Sequence, residues 1–553
     1  EPVPQTRGYR SGAKLIRTIM GRITIFTIEE CKFCRRAKAA FSARDIPYAN
    51  IDVESHPSKR ADMISLTDRL TVPQIFLNEE HVGGADETLA MLARWDDEIA
   101  AGAGDDRVVD ASPRDRYVRL VESAPDPTDE RLAVPEGNGA ALPVMDLDAP
   151  RTTEAFRIRE KSYTSLEVTK LLIQRMPRNS LAYHGFAYHN AFKGSDGVTA
   201  LQKIFELQSR EDAIELGMGL QRKHCIDHVC GDHVFGDNKY YFRLQPFNAP
   251  NVLNSFRVWS EAVDDEPMFV IHRLGKLWSK LESRHLNDDG MVDHATLRGD
   301  DIYWKFEEEA CELQRISLAK MDGDTLKAFV INVYNLMIKY AFVKAGIPAT
   351  SAARASFFDD VSINMDGSLF SFNDLEHGIL RANTRHPYQL TKRFGDRDPR
   401  GRLALGELDP RVHFALNCGA KSCPPVKRYT AGAIEEELRL SAAAFCEQEE
   451  NVAVDEEGRR VHLTKILYWY MADFATSKDK LPQKIAHYLR GEKKEKLDSL
   501  LREGNVTVKF NEYDWSSNDI NFHTFEKVDL SRRSVLLFHK APSHRYGMVQ
   551  DDA

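Results

Sequence analysis

The sequence predicts a multidomain α/β protein, and three observations carry this prediction. The chain has 553 residues, which at about 150 residues per domain corresponds to three or four globular units. Its hydrophobic content of 42% is enough for ordinary folded cores, so wholesale disorder and a fibrous repeat are excluded. Strand-like and helix-like patterns alternate over residues 22–98, and an acidic stretch with prolines follows over 99–152. A domain boundary is therefore expected in that stretch.

The predicted segments differ in their patterning along the whole chain. They are an N-terminal segment (1–21), a small α/β domain (22–98), an acidic proline-containing linker (99–152), a helical domain that ends in a β-hairpin (153–246), a helical connector (247–309), a large mixed α/β domain (310–521) and a C-terminal tail (522–553). In the small domain, strands are predicted at 23–28, 48–53 and 74–77 with helices between them. Helical patterns dominate the next domain to about Gly219, and its hairpin is predicted at 232–243.

Charge and cysteine content restrict the partners and the compartment. The formal net charge of −9 disfavours nucleic acid as a partner. Eight cysteines are too few for disulfide-stapled secreted domains, so we expect a cytoplasmic or other reducing compartment. Residue 1 is not a methionine, so a processed or trimmed start is expected and organelle targeting stays open. The apolar stretch 328–347 is interrupted by Asn and Lys, which predicts a buried helix and no transmembrane segment.

The segment Cys31-Lys-Phe-Cys34 is the first candidate site. Cys31 follows a strand and is expected to open a helix, where peptide dipoles and free N–H groups lower a thiol pKa. Lys32, Arg35 and Arg36 act in the same direction, whereas Glu29 and Glu30 oppose them. Cys34 lies one helical turn further on and can close a disulfide with Cys31. The spacing predicts a two-thiol redox cycle, and zinc is disfavoured because this domain has no second pair of ligands.

Two further segments complete a recognisable pattern around these cysteines. Thr71-Val72-Pro73 precedes a strand, and Gly83-Gly84 is followed by Asp86-Glu87 at a helix start. With the cysteine pair, over about 75 residues, they resemble the glutaredoxin family. The resemblance implies a thioredoxin-like fold, a cis Pro73, catalysis by Cys31 and Cys34, and glutathione as co-substrate. The glutathione-binding residues that it implies are Thr71, Val72, Pro73, Gly84, Asp86 and Glu87.

This segment departs from the glutaredoxin pattern at two places. The family usually carries a basic residue three positions before the first cysteine, and Ile28 stands there, although Arg69 could substitute as a carboxylate clamp. The Lys-Phe pair between the cysteines also replaces the common Pro-Tyr, so weak activity on glutathione mixed disulfides is expected. An iron–sulfur cluster bridging two copies through Cys31 is a less favoured use of the same thiol.

The middle of the chain has motifs of a docking module. The segments 192–198, 213–217, 233–237 and 240–243 resemble a DEP domain over roughly 158–244. The resemblance implies docking to a membrane surface or a signalling protein. A metal site is disfavoured for His224, Cys225, His228, Cys230 and His233, although a helix would place His224 and His228 on one face. A calcium loop at 287–290 is rejected because Thr296 stands at the twelfth position.

Four motifs mark the large C-terminal domain. The segments 328–335, 372–381, 409–424 and 513–515 resemble the domain-of-unknown-function family number 547, over about 200 residues. This resemblance implies no reaction. It does place polar residues inside apolar runs, where a buried Asn, Glu or His needs partners to offset desolvation.

Those polar residues allow three interpretations. In a hydrolase or transferase, Cys418 would be the nucleophile, His413 or His377 the base, and Glu376 or Asn335 the group that orients the imidazole. Gly419 and Ala420 would then present N–H groups to an oxyanion. In a structural role, Cys418 and Cys423 are small buried hydrophobes. In the third, the two cysteines form an internal disulfide that the N-terminal thiols reduce.

The function predicted from the sequence is that of a glutathione-linked thiol–disulfide oxidoreductase in a modular intracellular protein. Its expected partners are glutathione or glutathionylated proteins, together with a signalling protein or membrane surface at the DEP-like module, and no metal is assigned. Two alternatives stay open: a redox-sensing signalling adaptor without turnover, and a Cys-dependent hydrolase or transferase centred on Cys418.

Overall fold

The computed structural model describes residues 23–28, 31–101, 128–134, 146–183, 186–261, 266–385 and 389–526. The predicted N-terminal segment, most of the predicted linker and the tail beyond residue 526 lie outside these ranges. The chain divides into two compact units. The first comprises Glu1–Met145 with Gly432–Ser441, and the second comprises Asp146–Ala431 with Ala442–Ala553.

The first unit contains the predicted thioredoxin-like domain, a four-stranded sheet with helices. The strands are Ile23–Thr27 (β1), Ala49–Asp52 (β2), Gln74–Leu77 (β3) and Glu80–Gly83 (β4), and the helices are Lys32–Ser42 (α1), Pro57–Thr67 (α2) and Ala85–Ala101 (α3). The strand order is β2-β1-β3-β4, with β1 parallel to β2 and antiparallel to β3. The fourth strand is missing from the sequence-based prediction, and the last helix extends beyond the predicted boundary at 98.

The central strand β1 is buried along its whole length, so each sheet face forms a core. Ile23 and Ile25 pack with Phe41 on one side, whereas Phe26 packs with Phe76 on the other. This alternation follows from the two-residue period of a strand. Strand β1 ends at Thr27, and helix α1, at whose start the cysteines lie, begins at Lys32.

Part of the predicted linker is folded onto the first unit. A short 3₁₀ helix, Glu130–Leu132, buries Leu132 against the core, and Thr24 Oγ1 donates to the Leu132 carbonyl at 3.4 Å. Lys59 Nζ donates to the carbonyls of Glu130 and Arg131 at 2.9 and 3.0 Å. The expectation of a solvated linker is therefore wrong for residues 128–134. The prediction rested on the acidic composition of the whole stretch, whereas the single apolar residue Leu132 is buried in the core of the first unit.

The second unit contains the other strands and α-helices that the structure describes, together with a π-helix at Asp374–Leu380. Its strands are Ala155–Ile158 (β5), Lys161–Thr164 (β6), Asn179–Tyr183 (β7), Phe186–Lys193 (β8), Ile226–His228 (β9), Tyr241–Leu244 (β10), Val292–Asp293 (β11), Ser362–Met365 (β12), Ser368–Ser371 (β13), Val452–Asp455 (β14), Arg460–Leu463 (β15), Thr507–Phe510 (β16) and Asp519–Ile520 (β17). Its helices are Ser165–Arg175 (α4), Gly194–Ile204 (α5), Arg210–Arg222 (α6), Pro267–Arg284 (α7), His294–Leu297 (α8), Asp301–Glu309 (α9), Gly323–Lys344 (α10), Ser351–Asp360 (α11), Lys465–Trp469 (α13), Met471–Phe474 (α14), Leu481–Ile485 (α15) and Gly491–Glu503 (α16). The helix Ile434–Cys446 (α12) supplies residues to both units.

The predicted hairpin of the middle domain is wrong in position. Residues 232–240 form a loop, and only β10 continues as a strand, pairing with β8 and β9 in the order β7-β8-β10-β9. The long hairpin is β7–β8, within a stretch that the sequence predicted as helical. Phe235 explains the loop, because its ring is 2% exposed and packs at 5.1 Å from the Phe242 ring. At Phe235 the chain therefore turns toward the core of the domain, and residues 232–240 do not continue as a strand.

The predicted connector 247–309 packs into the same unit as the domains on either side of it. The Trp278 ring lies 4.8 Å from the Phe306 ring and 5.8 Å from the Tyr340 ring of helix α10. Arg257 forms ion pairs with Glu154 and Glu308. These contacts tie the DEP-like region, the connector helices and the large domain together.

Helix α10 is the structural centre of the large domain. Among the described residues it is the one helix long and apolar enough to cross a membrane, and 89% of its apolar window is buried inside the protein. Its polar residues are satisfied, because Asn332 exchanges hydrogen bonds with the Tyr429 backbone at 2.7 and 3.0 Å. The predicted C-terminal tail also begins inside this fold, since Phe525 packs against Phe357 at 5.2 Å.

Candidate functional site

Cys31 is the N-cap residue of helix α1. Its sulfur accepts a hydrogen bond from the Cys34 amide at 3.2 Å, so the first free N–H groups of the helix point at it. Cys34 itself is buried, with 2% of its surface exposed, on the face that also holds Ala37 and Phe41. Cys31 is partly exposed, so the structure presents one thiol at the surface and the other beneath it.

The two thiols have opposite acidities. Hydrogen bonds from the Cys34 thiol and from the Cys34 and Phe33 amides lower the pKa of Cys31 to about 6, and the charge of Arg35 adds to them. The same thiol–thiolate bond, together with burial, raises the pKa of Cys34. Arg36 does not act on Cys31 as expected, because its guanidinium forms an ion pair with Asp86. At neutral pH the arrangement holds Cys31 as the thiolate.

The Thr71-Val72-Pro73 segment lies beside this thiolate. The Val72–Pro73 peptide is cis, and the Cys31 sulfur lies 3.7 Å from the Val72 carbonyl oxygen. The Thr71 carbonyl accepts a hydrogen bond from the Gln74 side chain at 2.8 Å, which fixes the turn into β3. The structure therefore brings together the cysteine motif and the second sequence motif.

The third motif starts helix α3. Gly83 has φ of +124°, a conformation that side chains rarely adopt, and the Gly84 amide donates to Glu87 Oε2 at 3.0 Å. Asp86 is exposed, and its carboxylate is available to solvent beside Arg36. Arg69, the expected substitute clamp, pairs with Glu87 Oε1 at 3.5 Å. Ile28, at the position of the usual basic residue, packs against the core.

A second candidate site is a cavity of about 750 Å³ in the large domain. Among its lining residues are Glu376, His377, His413, Cys418 and Cys423, which the sequence motifs singled out. Aromatic rings form much of the remaining wall: Tyr334, Phe358, Trp469, Tyr470, Tyr513 and Trp515. The cavity therefore joins residues that are up to 181 positions apart in the sequence, counting from Tyr334 to Trp515.

The two cysteines at this cavity form a close pair. Their sulfurs are 2.8 Å apart, and the Tyr513 hydroxyl lies 3.1 Å from Cys423 Sγ and 3.7 Å from Cys418 Sγ. The Cys418 amide donates to Cys423 Sγ at 3.1 Å. Donors therefore converge on Cys423, whereas the sequence-based hypothesis took Cys418 as the nucleophile.

The acidities of this pair follow from those contacts. Burial alone would raise the pKa of Cys423, but hydrogen bonds from the Cys418 thiol, the Tyr513 hydroxyl and backbone amides outweigh it and lower the pKa to about 7. The hydrogen bond to Cys423 and burial raise the pKa of Cys418 well above its ordinary value. The thiolate of this pair is therefore Cys423.

The histidines are oriented by a residue that the sequence analysis missed. His413 Nε2 lies 2.7 Å from Asp473 Oδ2, and Arg381 binds the same carboxylate with two contacts of 2.7 and 2.8 Å. Arg381 also lies 2.8 Å from His377 Nδ1. Burial opposes ionisation of Asp473, but hydrogen bonds from His413 and Arg381 prevail and lower its pKa to about 2. Asp473 lies outside the quoted motifs, so the sequence offered no signal for it.

Of the other predicted second-site residues, Glu376 lies beside an imidazole as expected, with its Oε1 3.9 Å from His377 Nδ1, whereas Asn335 has different partners. Glu376 accepts from Tyr470 at 2.6 Å and from Tyr334 at 3.3 Å, and Asn335 bonds the backbone of Ala415 and Asn417 at 2.9 and 2.8 Å. The expectation that Asn335 orients an imidazole is therefore wrong, since its amide holds two chain segments together.

The proposed oxyanion donors and the hydrolase dyad are also not assembled as expected. The Gly419 amide already donates to Asn417 Oδ1 at 2.7 Å. Within the described part of the chain, the hydrogen bonds of Cys418 go to Cys423 and Tyr513, and that of His413 goes to Asp473. The contacts favour thiol–thiol chemistry over a Cys–His dyad.

One group of metal-ligand type occurs among the described residues, in the DEP-like region. Ligand atoms of His228, Asp232 and His233 lie within 4.8 Å of one another. His228 Nδ1 accepts from the amides of Cys230 and Asp232 at 3.3 Å each, so this nitrogen holds the loop. Helix α6 ends at Arg222, so no helix places His224 and His228 on one face.

Family models match three segments of the chain, in the order that the resemblances predicted. They are "Glutaredoxin" over residues 23–82, "Domain found in Dishevelled, Egl-10, and Pleckstrin (DEP)" over 175–244, and "Protein of unknown function, DUF547" over 318–446. The third match ends before Tyr513, so that part of the cavity wall lies outside it.

Curated relatives match the N-terminal domain. Glutaredoxin 3 of Escherichia coli (strain K12) is 39% identical over 75 residues, which is 14% of this chain and 90% of that protein. A glutaredoxin of Pseudomonas aeruginosa is 33% identical over 72 residues, covering 13% of this chain and 86% of that protein.

Among solved structures, the solution structure of glutaredoxin from Brucella melitensis is 36% identical and has a TM-score of 0.13, covering 14% of this chain and 83% of that one. The buckwheat glutaredoxin–glutathione complex is 22% identical with a TM-score of 0.14, covering 16% and 83%. The curated sequence relatives carry the assignment, because the match spans nearly their whole length. Through its N-terminal domain, the chain belongs to the glutaredoxin family.

Proposed function

We propose that the N-terminal domain is a glutathione-linked thiol–disulfide oxidoreductase with Cys31 as the nucleophile. One observation carries the proposal: Cys31 Sγ accepts the Cys34 amide at 3.2 Å at the start of a helix, beside a partly open surface. An attacking thiol is most effective when its pKa is near the ambient pH, and the pKa of Cys31 is about 6. The domain is a thiol oxidoreductase module, and glutathione is its proposed co-substrate.

The reaction balances with these two thiols and glutathione. The Cys31 thiolate attacks the glutathione sulfur of a protein–glutathione disulfide, and the protein thiolate leaves and takes up a proton. A second glutathione thiolate then attacks the Cys31–glutathione disulfide, which releases glutathione disulfide and restores the Cys31 thiolate. With a protein disulfide as substrate, Cys34 instead attacks Cys31 Sγ and expels the second substrate thiol. The mixed disulfide on Cys31 is therefore resolved either by glutathione or by Cys34, whichever attacks it first.

The proposed glutathione groove uses the backbone more than charged side chains. The Val72 backbone lies beside the Cys31 sulfur, and the Gly84 region offers a close backbone approach. We propose Asp86 for the ammonium end of glutathione, because its carboxylate is exposed. The clamp for the other end is weak, since Ile28 has no charge and Arg69 already pairs with Glu87.

Two substitutions test this proposal. In a purified assay with a glutathionylated protein and glutathione, Cys31→Ser is expected to remove turnover, and Cys34→Ser to retain partial turnover. Cys230→Ser, which alters a partly exposed thiol in the second unit, is the matched control and should retain wild-type turnover. Turnover by Cys31→Ser equal to that of the wild type would refute the proposal.

The DEP-like region is the proposed docking module, for a membrane surface or a signalling protein. The exposed β7–β8 hairpin, with Tyr183 60% exposed near its tip, supports this role. The adaptor alternative predicts that binding to lipid vesicles or receptor tails changes between reduced and oxidised protein. We propose a reducing compartment such as the cytoplasm, because Cys31 has to return to the thiolate in each cycle.

A further inference from the structure

We propose that Cys423 and Cys418 form a second dithiol centre, which reduces disulfides that carry a carboxylate and acts independently of Cys31. The proposal assigns chemistry to the cavity of the large domain, for which the family match gives none. It rests on three observations within the second unit: the closeness of the two sulfurs, the hydrogen bond that the Cys418 amide donates to Cys423 Sγ, and the charge of the cavity wall.

The two sulfurs are placed for exchange with a third. They are 2.8 Å apart and both line the cavity, so a disulfide entering from the cavity side meets them together. The Cys418 amide donates a hydrogen bond to Cys423 Sγ at 3.1 Å, and the Tyr513 hydroxyl also lies 3.1 Å from Cys423 Sγ. Because the Cys418 amide donates to Cys423 Sγ, Cys423 is the attacking sulfur, and Cys418, whose sulfur lies 2.8 Å away, is the resolving one.

The cavity wall indicates what kind of disulfide fits. Arg354 lines the cavity with its guanidinium stacked on the Trp515 ring at 4.0 Å. Within the described ranges no carboxylate is paired with it, and the neighbouring Asp359 is engaged by Arg393 at 2.6 Å. A half-buried guanidinium beside two thiols favours a substrate carboxylate. The volume of about 750 Å³ suits a small organic or peptide disulfide.

The reaction needs no further oxidant than the substrate disulfide. The Cys423 thiolate attacks one substrate sulfur, the substrate S–S bond breaks, and the leaving thiolate takes the proton of the Cys418 thiol. The Cys418 sulfur then attacks Cys423 Sγ, which forms the Cys418–Cys423 disulfide and releases the second substrate thiolate. Two electrons pass from the protein sulfurs to the substrate, which leaves as one thiol and one thiolate.

The position of Lys421 allows a direct test. Full-length protein with Cys31→Ser and Cys34→Ser is treated with dithiodipropionate and digested with trypsin, which cleaves after Arg411, Lys421 and Lys427. The peptides 412–421 and 422–427 are expected to remain joined by a disulfide, and to separate after reduction. Recovery of the two peptides with both cysteines free after treatment would overturn the proposal.

Single substitutions then identify the attacking sulfur. In the same background, Cys418→Ser should retain one half of dithiodipropionate as a mixed disulfide on Cys423. Cys423→Ser should leave Cys418 largely unmodified. A faster reaction at Cys418 than at Cys423 would refute the assigned roles. Because Cys31 is absent from every variant, failure here is independent of the N-terminal thiols.

A charge variant tests the substrate class. Arg354→Gln should slow oxidation by dithiodipropionate about tenfold, the effect of losing one charge-assisted contact. Oxidation by cystamine, a disulfide with two ammonium groups, should not slow. Equal slowing with both reagents would show a structural role for Arg354 and contradict the preference for carboxylates.

Discussion

At the scale of single residues, each cysteine pair has the same arrangement, in which the backbone amide of one cysteine donates a hydrogen bond to the sulfur of the other. In the first pair the Cys34 amide donates to Cys31 Sγ, and in the second pair the Cys418 amide donates to Cys423 Sγ. A donor stabilises a thiolate more than a thiol, because hydrogen bonds to charged groups are the stronger ones. The thiolate is therefore the earlier cysteine in one pair and the later cysteine in the other.

The pH dependence of Cys31 alkylation follows from its partners. The thiolate reacts, so the rate of alkylation by iodoacetamide is expected to rise with pH around a midpoint near 6. Cys34→Ala removes the thiol donor, which is the largest cause of the lowered pKa, and should move the midpoint upward by about one unit or more. The measurement is mass spectrometry of Cys31 labelling at a series of pH values.

Lys32→Gln is the matched control for that shift. Lys32 lies over the Phe33 ring at 5.1 Å, and its charge is not among the causes that lower the Cys31 pKa. Its midpoint should stay close to that of the wild type. A wild-type midpoint near 9 would contradict the geometry of the N-cap.

At the scale of elements, the DEP-like sheet depends on an aromatic ring supplied by a loop. Phe235 lies between helix α6 and strand β10, and its amide donates to the Gln221 side chain at 2.7 Å. The helix comes close to the ring at Gly217, where an added Cβ would lie 2.1 Å from Phe235 Cε1. Close packing against the Phe235 ring therefore explains why a glycine stands in the middle of helix α6.

Gly217→Ala is expected to destabilise the second unit by about 1–3 kcal/mol, because the methyl group overpacks a buried ring. Gly219→Ala is the matched control in the same helix, since its nearest neighbour is the Arg222 guanidinium at 3.7 Å. It should be neutral or stabilise by up to about 1 kcal/mol. Urea unfolding of both variants measures the difference, and equal stabilities would contradict the role assigned to Phe235.

At the scale of the whole molecule, each of the two units contains one dithiol. The described ends of the predicted linker are bound to their own units: Leu132 in the core of the first, and Asp146 and Ala149 through Arg273 in the second. The linker therefore contributes to the stability of the units that it connects.

Leu132→Ala tests that contribution. Loss of the buried side chain is expected to destabilise the first unit by about 2 kcal/mol and to leave the second unit unaffected. Alkylation of the buried Cys34 in increasing urea reports the first unit, and that of the buried Cys446 reports the second. Val134→Ala, at a side chain 47% exposed, is the control and should change neither. Equal loss of protection at both cysteines would contradict the prediction.

The local motifs were predictable because they depend on neighbouring residues. Cys31 at the start of a helix, Cys34 one turn further on, and a helix start after Gly83-Gly84 follow from spacing within one strand, helix or loop. The wrong hairpin at 232–243 has the same origin, since Asp, Gly and aromatic residues there imitate a turn between strands. The predicted hairpin does not form because Phe235 is buried against residues that lie earlier in the chain.

The sequence by itself determined the first thiol site and the order of the three modules. Short motifs carry that information, because the atoms involved are covalently close. Only the tertiary structure decided that Cys423 rather than Cys418 is the thiolate, that Asp473 orients His413, and that Leu132 belongs to a core. Each of these depends on hydrogen bonds or on burial between segments of the folded chain. The spacing of residues along the sequence does not show which distant groups come into contact.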